Sequence, residues 1–262
     1  EVTFLALTSQ HDATTVGAWS SGTGFAGVTG ASVYFVIRSV LGLSSRQALL
    51  FVSPISLRML MTYVFYLRPS EFQKHVHLSS RKRTYFLFLL SRFMIPLMSV
   101  YFLEYLINQL MTSAKERNSL YTSYQLSYQL GVFCSRSSIE LVKVPQIWIF
   151  PALQLVNMLT LRAGAAYVLF PNKFIVMGIM FFEGLVGGGI YVNSFYRIRQ
   201  TMPDDLKAWA LGAAGVGDAA GVTLAAVVNV WLECAIRLFR GEATCHARSA
   251  SSQQTLNSSK RD

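Results

Sequence analysis

The chain has 262 residues and a net charge of +10, yet only 14% of its residues are charged, 52% are hydrophobic and its mean hydropathy is +0.39. Soluble domains carry about 25% charged residues, so the composition excludes an ordinary soluble domain and points to an integral membrane protein. The cations sit largely in short breaks between apolar runs and in the C-terminal tail, where they read as topology signals and headgroup contacts and not as a nucleic-acid surface. Cys134, Cys234 and Cys245 have no paired spacing, so neither a disulfide framework nor a metal motif is expected. The chain opens on Glu1 without a cationic leader and reads as the C-terminal portion of a longer protein.

Seven spans are expected. The first, residues 17–37, carries Gly22, Gly24 and Gly27 in the spacing of a dinucleotide fingerprint. That motif needs a preceding strand and a βαβ unit; inside an apolar helix-length run, with Thr23, Gly27 and Ala31, and Ser20 and Gly24, at four-residue intervals, close helix packing explains it better. The second, residues 47–67, holds Pro54 and Arg58, the latter snorkelling or lining a cavity. A basic break from Arg68 to Arg83 includes His75 and His77 and is expected in the cytosol. Those histidines are read as loop residues before pH sensors.

The third span, residues 84–111, ends with Tyr101, Glu104, Tyr105 and Asn108 at i, i+3, i+4 and i+7, a polar stripe that must face other helices or water. The fourth, residues 121–142, aligns Gln125, Tyr128, Gln129 and Arg136, because eleven residues make about three turns. Arg136 is the natural counter-ion for Glu104 or Glu183, or else an interfacial arginine. The fifth, residues 145–166, is mostly apolar with Gln154 and Asn157.

The sixth span, residues 174–196, contains Glu183, a triple glycine, Tyr191 and Asn193. An intramembrane carboxylate beside a backbone weak point suggests a transport pathway, and a glycine-packed structural helix is the alternative. Glu183, Gly187 and Tyr191 share a face, so the glycine is expected to give room beside that carboxylate. Pro203, Asp204 and Asp205 read as the first turn of the seventh span, residues 206–238, in which Asp218 lies among glycines and on the face of Asn229. The tail from Arg240 is read as disordered. Counting spans from a cytosolic 68–83 places this basic tail on the far side, against the same charge rule, so topology stays open.

The stretches EVTFLAL at the start, WSSGTGFAG (Trp19 to Gly27), VYFLEYLINQ (Val100 to Gln109), YQLGVFCSRSS (Tyr128 to Ser138), EGLVGGGIYVN (Glu183 to Asn193) and Asp218-Ala-Ala-Gly221 follow one another through the chain. Together they resemble the battenin family of lysosomal membrane proteins. The resemblance implies a major-facilitator-like, all-α polytopic bundle in a late endosomal, lysosomal or vacuolar membrane. Roles in lumenal pH control, basic amino-acid transport and glycerophosphodiester export are implied with it. Residues 1–67 would end the first helical half, 68–83 would be the central loop, 84–239 the second half and 240–262 the tail. Glu104, Arg136, Glu183 and Asp218 match family positions. The chain departs from members with a prenylatable C-terminal cysteine box: it ends Ser-Lys-Arg-Asp, and Cys245 lies too far inside.

The expected function is therefore a solute transporter, with a membrane scaffold acting on lysosomal pH and trafficking through partners as the alternative; an enzyme, a cofactor and a metal are not expected. Arg136 would hold an anionic group by its planar donor fork. Glu104 and Glu183 would balance that charge or take a proton. Tyr101, Tyr105, Tyr128 and Gln129 would bind substrate hydroxyls, with Asn108, Tyr191, Asn193 and Asp218 completing the pathway. The expected partners are the lipid bilayer and a small anionic or zwitterionic metabolite, with proton coupling left open.

Overall fold

The apolar runs form helices, and no strand occurs among the described residues. The computed structural model describes residues 5, 8, 14–65, 79–112, 118–167 and 172–239. The expectations for His75, His77, Cys245, the central loop up to residue 78 and the tail lie outside them. The helices are α1 (Thr14–Phe35), α2 (Ser45–Phe65), α3 (Ser79–Leu89), α4 (Ile95–Thr112), α5 (Asn118–Ser137), α6 (Ile149–Tyr167), α7 (Lys173–Thr201) and α8 (Asp204–Phe239). Among the described residues, three stretches are long and apolar enough to cross a membrane: Thr84–Asn108, Lys173–Thr201 and Asp204–Trp231. The other four expected spans are helices of 22, 21, 20 and 19 residues, close to the ~20 residues that cross hydrocarbon.

The third span is one rod with a defect. A wide π turn, Leu90–Met94, joins α3 to α4 immediately before Pro96. A proline lacks the N–H for its own helical bond and crowds the carbonyl four residues back, here that of Arg92, so the widened turn absorbs the misfit. Residues 79–83 belong to this rod and not to the expected loop. Pro54 is handled differently within α2. It withholds a donor from Leu50, and the Ser53 hydroxyl bonds to the Leu50 carbonyl at 3.0 Å instead.

Helix α7 is the axis of the bundle. Met180, Glu183, Gly184 and everything from Val186 to Phe195 are buried, which in a 29-residue helix marks an element enclosed on all sides. Asn172 caps its start, its side chain accepting from Phe174 N at 2.9 Å. The helix runs unbroken through Gly187–Gly189, so the triple glycine serves packing and not a break.

Against this axis α5 presents Tyr124, Ser127, Tyr128, Gly131, Val132 and Ser135, a face at helical spacing. Gly131 and Gly184 sit where the two backbones meet: a side-chain carbon at 131 would run into the Phe181 carbonyl, and one at 184 into that of Tyr128. Ser127 Oγ donates across this seam to the Met177 carbonyl at 2.8 Å. Helix α1 packs on α5, with Gly24 against the Phe133 backbone and Gly27 under the Gln129 amide. The glycines of the first span are therefore packing residues, as expected, although Gly22 faces open space.

On the other side α4 contacts α6, α7 and α8, and Gly217 and Gly221 let α8 approach the backbone at Met94 and Met98. Helix α8 begins at Asp204, one residue after Pro203, whose carbonyl accepts from Leu206 N at 2.9 Å. Asp204 and Asp205 then complement its dipole, and Lys207 lies 2.5 Å from Asp204. Helix α2 stands apart, its main contact being the π turn Val36–Val40 that precedes it. Leu49, Leu50, Ile55, Leu57, Leu60, Val64 and Phe65 are exposed on it, and Arg58 with Met61, Thr62 and Phe65 borders a shallow open depression.

The junction between the fourth and fifth spans also differs from expectation. The fourth helix stops at Ser137 and the fifth starts at Ile149, leaving residues 138–148 as a loop. Ser138 Oγ bonds to the Ser135 carbonyl and closes the last turn, while Pro145 cannot continue a helix. The loop is clamped to α7: Asn193 Oδ1 accepts from Val144 N at 2.8 Å, and Arg197 donates to the Pro145 carbonyl.

Candidate functional site

Arg136 lies at the last turn of α5, half-buried where α1, α4, α5 and α7 converge. Its Nη1 donates to Thr23 Oγ1 at 2.8 Å and its Nη2 to the Tyr101 hydroxyl at 3.3 Å. The guanidinium carbon sits 4.0 Å from the centroid of the Tyr191 ring, which also packs edge-on against Phe195 at 4.6 Å. One cation is thus oriented by three helices through a hydroxyl, a phenol and a π-face, with its planar fork held in place.

One turn further along α4, Glu104 is 2% exposed. The Tyr128 hydroxyl donates to its Oε1, and its Oε2 lies against the Cα of Gly187, where any side chain would collide with it. Gly187 was expected to make room beside Glu183 on its own helix. The room it makes is for Glu104 of the neighbouring helix, a correction that only the register between α4 and α7 could supply.

Glu183 is fully buried, and neither of its carboxylate oxygens has a hydrogen-bond partner among the described residues. No direct hydrogen bond from Arg136 to Glu104 or Glu183 occurs among the described residues: Glu104 bonds to Tyr128, and Glu183 hydrogen-bonds to no described residue. The Tyr101–Glu104–Tyr105–Asn108 stripe also divides. Tyr101 and Glu104 face inward, and Asn108 is half-buried with its Nδ2 on the Glu104 carbonyl at 3.2 Å. Tyr105 is 42% exposed, on the outer edge, and its carbonyl receives Asn229 Nδ2 at 3.4 Å. The i+4 position has rotated away because α8 packs on the α4 flank.

Gln129 covers Gly27 at the α1 seam, and Asp218 is half-buried on α8 with its Oδ1 2.6 Å from Ala219 N. Asn193 is the clearest departure from a pathway role. Its Oδ1 holds Val144 N and its Nδ2 holds the Gly189 carbonyl, both at 2.8 Å, so its amide ties the 138–148 loop to the axis. Asn193→Ala is expected to cost about 1–3 kcal/mol, the penalty of stranding buried partners. Limited proteolysis should then cut the 138–148 loop faster; unchanged cleavage would contradict the tie.

Sequence reasoning assigned no role to Gln154 and Asn157. Both are buried, on the face of α6 that also carries Phe150, Met158 and Leu161, and both Gln154 side-chain atoms and Asn157 Nδ2 lack partners among the described residues. Their signal was available: two amides three residues apart on the same face as the large apolar residues of an otherwise apolar helix.

A bundle of long apolar helices with an enclosed guanidinium and two enclosed carboxylates defines a polytopic α-helical membrane protein with a polar interior. The chain belongs to the CLN3 protein family, whose family model matches residues 1–86 and 71–237. It is similar to Protein BTN1 of Yarrowia lipolytica, 34% identical over 94% of this chain and 72% of that protein. It is also similar to Protein btn1 of Schizosaccharomyces pombe, 33% identical over 94% of this chain and 71% of that protein. Battenin of Canis lupus familiaris is 31% identical over 87% of this chain and 60% of its own length. No solved structure matches. The chain is accordingly a protein of the lysosomal or vacuolar membrane.

Proposed function

We propose that this chain forms part of a solute transporter that moves a small anionic or zwitterionic metabolite, a glycerophosphodiester or a basic amino acid, across that membrane. The observation that carries the reading is Arg136, held by Thr23, Tyr101 and Tyr191 from three different helices. A guanidinium positioned in this way can present donors to a phosphodiester or a carboxylate. The Glu104 carboxylate one turn away would meet the hydroxyl or ammonium end of the same solute. Helix α5, which carries Arg136, and the axis α7 would move as a unit, since their backbones are in contact at Gly131 and Gly184. Residues 84–239 would then be one helical half in a major-facilitator-like arrangement, rocking against the other half around a midplane site.

The alternative, a non-transporting scaffold for lumenal pH control, predicts that Glu104, Glu183 and Arg136 neutralise one another in a closed network. Neither carboxylate hydrogen-bonds to Arg136 among the described residues, Glu104 bonding to Tyr128 and Glu183 to none, and polar groups left open in this way support the transport reading. Uptake of radiolabelled glycerophosphodiesters and basic amino acids into vesicles bearing the protein is expected to exceed that of empty vesicles. Arg136→Ala should lower it at least tenfold, and Glu183→Gln should lower it as well. Uptake equal to that of empty vesicles would favour the scaffold, and wild-type uptake in both variants would refute the site.

A further inference from the structure

Beyond Glu104, away from Arg136, the interior stays polar but contains no cationic side chain among the described residues. The register fixes this layer. Helices α4 and α7 are antiparallel, with Tyr101 at the level of Tyr191 through Arg136 and Glu104 at Gly187, which sets Asn108 at the level of Glu183. Helices α6 and α7 pack with Phe150 on Gly189, and Met158 and Met180 belong to one buried cluster, so Gln154, midway between Phe150 and Met158, comes to the level of Glu183 and Gly184. Glu104, lying against Gly187, is about one helical turn from Glu183 along α7. The layer lies eight residues, about 12 Å, from the Arg136 level.

Here the buried atoms without described partners are Glu104 Oε2, Asn108 Oδ1, both oxygens of Glu183 and both side-chain atoms of Gln154. Five of these six are oxygens. Asn108 spends its NH₂ group on the Glu104 carbonyl, which leaves its oxygen as acceptor. Buried carboxylates are found paired or coordinating cations, and oxygen-only ligand sets suit hard cations. Glu104 already accepts the Tyr128 hydroxyl, which leaves Glu183 as the one carboxylate here without a described hydrogen bond and matches a single positive charge.

We propose that Glu104, Asn108, Gln154 and Glu183 form a binding site for a monovalent cation, a sodium ion or a proton, between α4, α6 and α7 and separate from the Arg136 site. The buried titratable groups of the helices around Glu183 are Glu104 from α4 and Tyr124 and Tyr128 from α5; Arg162 of α6 is exposed, α1 has no charged group, and Asp218 of α8 lies at the level of Met94 to Met98, toward Arg136. Sharing Glu104 with the Arg136 site would couple the cation to the solute, but binding itself does not depend on transport.

The test is the melting temperature of the purified full-length protein in two arms. One replaces choline by sodium at constant ionic strength and neutral pH; the other goes from neutral to mildly acidic pH in choline alone. A bound ion should raise the wild-type Tm by about 5 °C in one arm, and Glu183→Gln should abolish that rise. A response in the sodium arm identifies sodium, and one in the acid arm identifies the proton. Where Glu183→Gln does not fold, Gln154→Leu decides: a reduced response supports the site and an undiminished one overturns it. Identical behaviour of wild type and Glu183→Gln in both arms also overturns it. Because the readout is binding, its failure with intact Arg136-dependent uptake would remove the cation site alone. A cation response without uptake would leave the site and remove the transport reading.

Discussion

Gly184→Ala is expected to be among the most damaging single substitutions in the chain. The added methyl group would run into the Tyr128 carbonyl and Val132 N, both backbone atoms of α5, which cannot rotate aside as a side-chain tip could. Separating α5 from α7 would open the seam along its length and break the Ser127 bond to Met177. Overpacking costs typically 1–3 kcal/mol. With backbone as the obstacle the upper end applies, about 3 kcal/mol, or roughly 10 °C in Tm. Gly22→Ala is the control: a methyl group there meets nothing within 4 Å, and alanine is favoured over glycine in a helix by about 1 kcal/mol. Thermal unfolding of the two purified variants checks the argument. If Gly184→Ala melted with Gly22→Ala, the close approach of the two helices would be wrong.

Arg136→Lys is expected to retain the charge and lose the function. Lysine's ammonium is a point charge on a flexible stem, so it cannot bond to Thr23 and Tyr101 while lying flat over Tyr191. Hydrogen bonds to a charged group contribute about 1.5–3 kcal/mol, which corresponds to a ten- to hundredfold loss of solute uptake. The charge-conserving variant separates two accounts of Arg136. If the residue only neutralises the interior, Arg136→Lys should transport nearly as wild type. If its planar fork positions the solute, uptake should fall close to that of Arg136→Ala while the protein remains folded. Uptake and melting temperature measured on the same preparation distinguish these results.

The sequence by itself determined the class of protein, the existence of the long helices and the identity of the charged residues inside them. Twenty-residue apolar runs have few alternatives in a bilayer, where every backbone group must bond within its own segment. A carboxylate or guanidinium within such a run is conspicuous because it is costly. Periodicity also placed Tyr128 and Arg136 on one face, and small-residue spacing identified α1 as a packing helix.

Only the tertiary structure decided which of these residues meet. Helical spacing gives a residue's angle about its own axis, but not the register or depth at which neighbouring helices lie. For that reason Gly187 proved to accommodate Glu104 and not Glu183, Tyr105 turned outward beside α8, and Asn193 became the tie for a loop that sequence had read as helix. It is also why Gln154, an unremarked amide in an apolar helix, came to lie at the level of Glu183. The pairing of Arg136 with a carboxylate looked compelling from charge alone. The structure hydrogen-bonds the guanidinium to a hydroxyl and a phenol over a ring, and leaves Glu183 without a described hydrogen-bond partner, because close glycine contacts set the depth at which these helices meet.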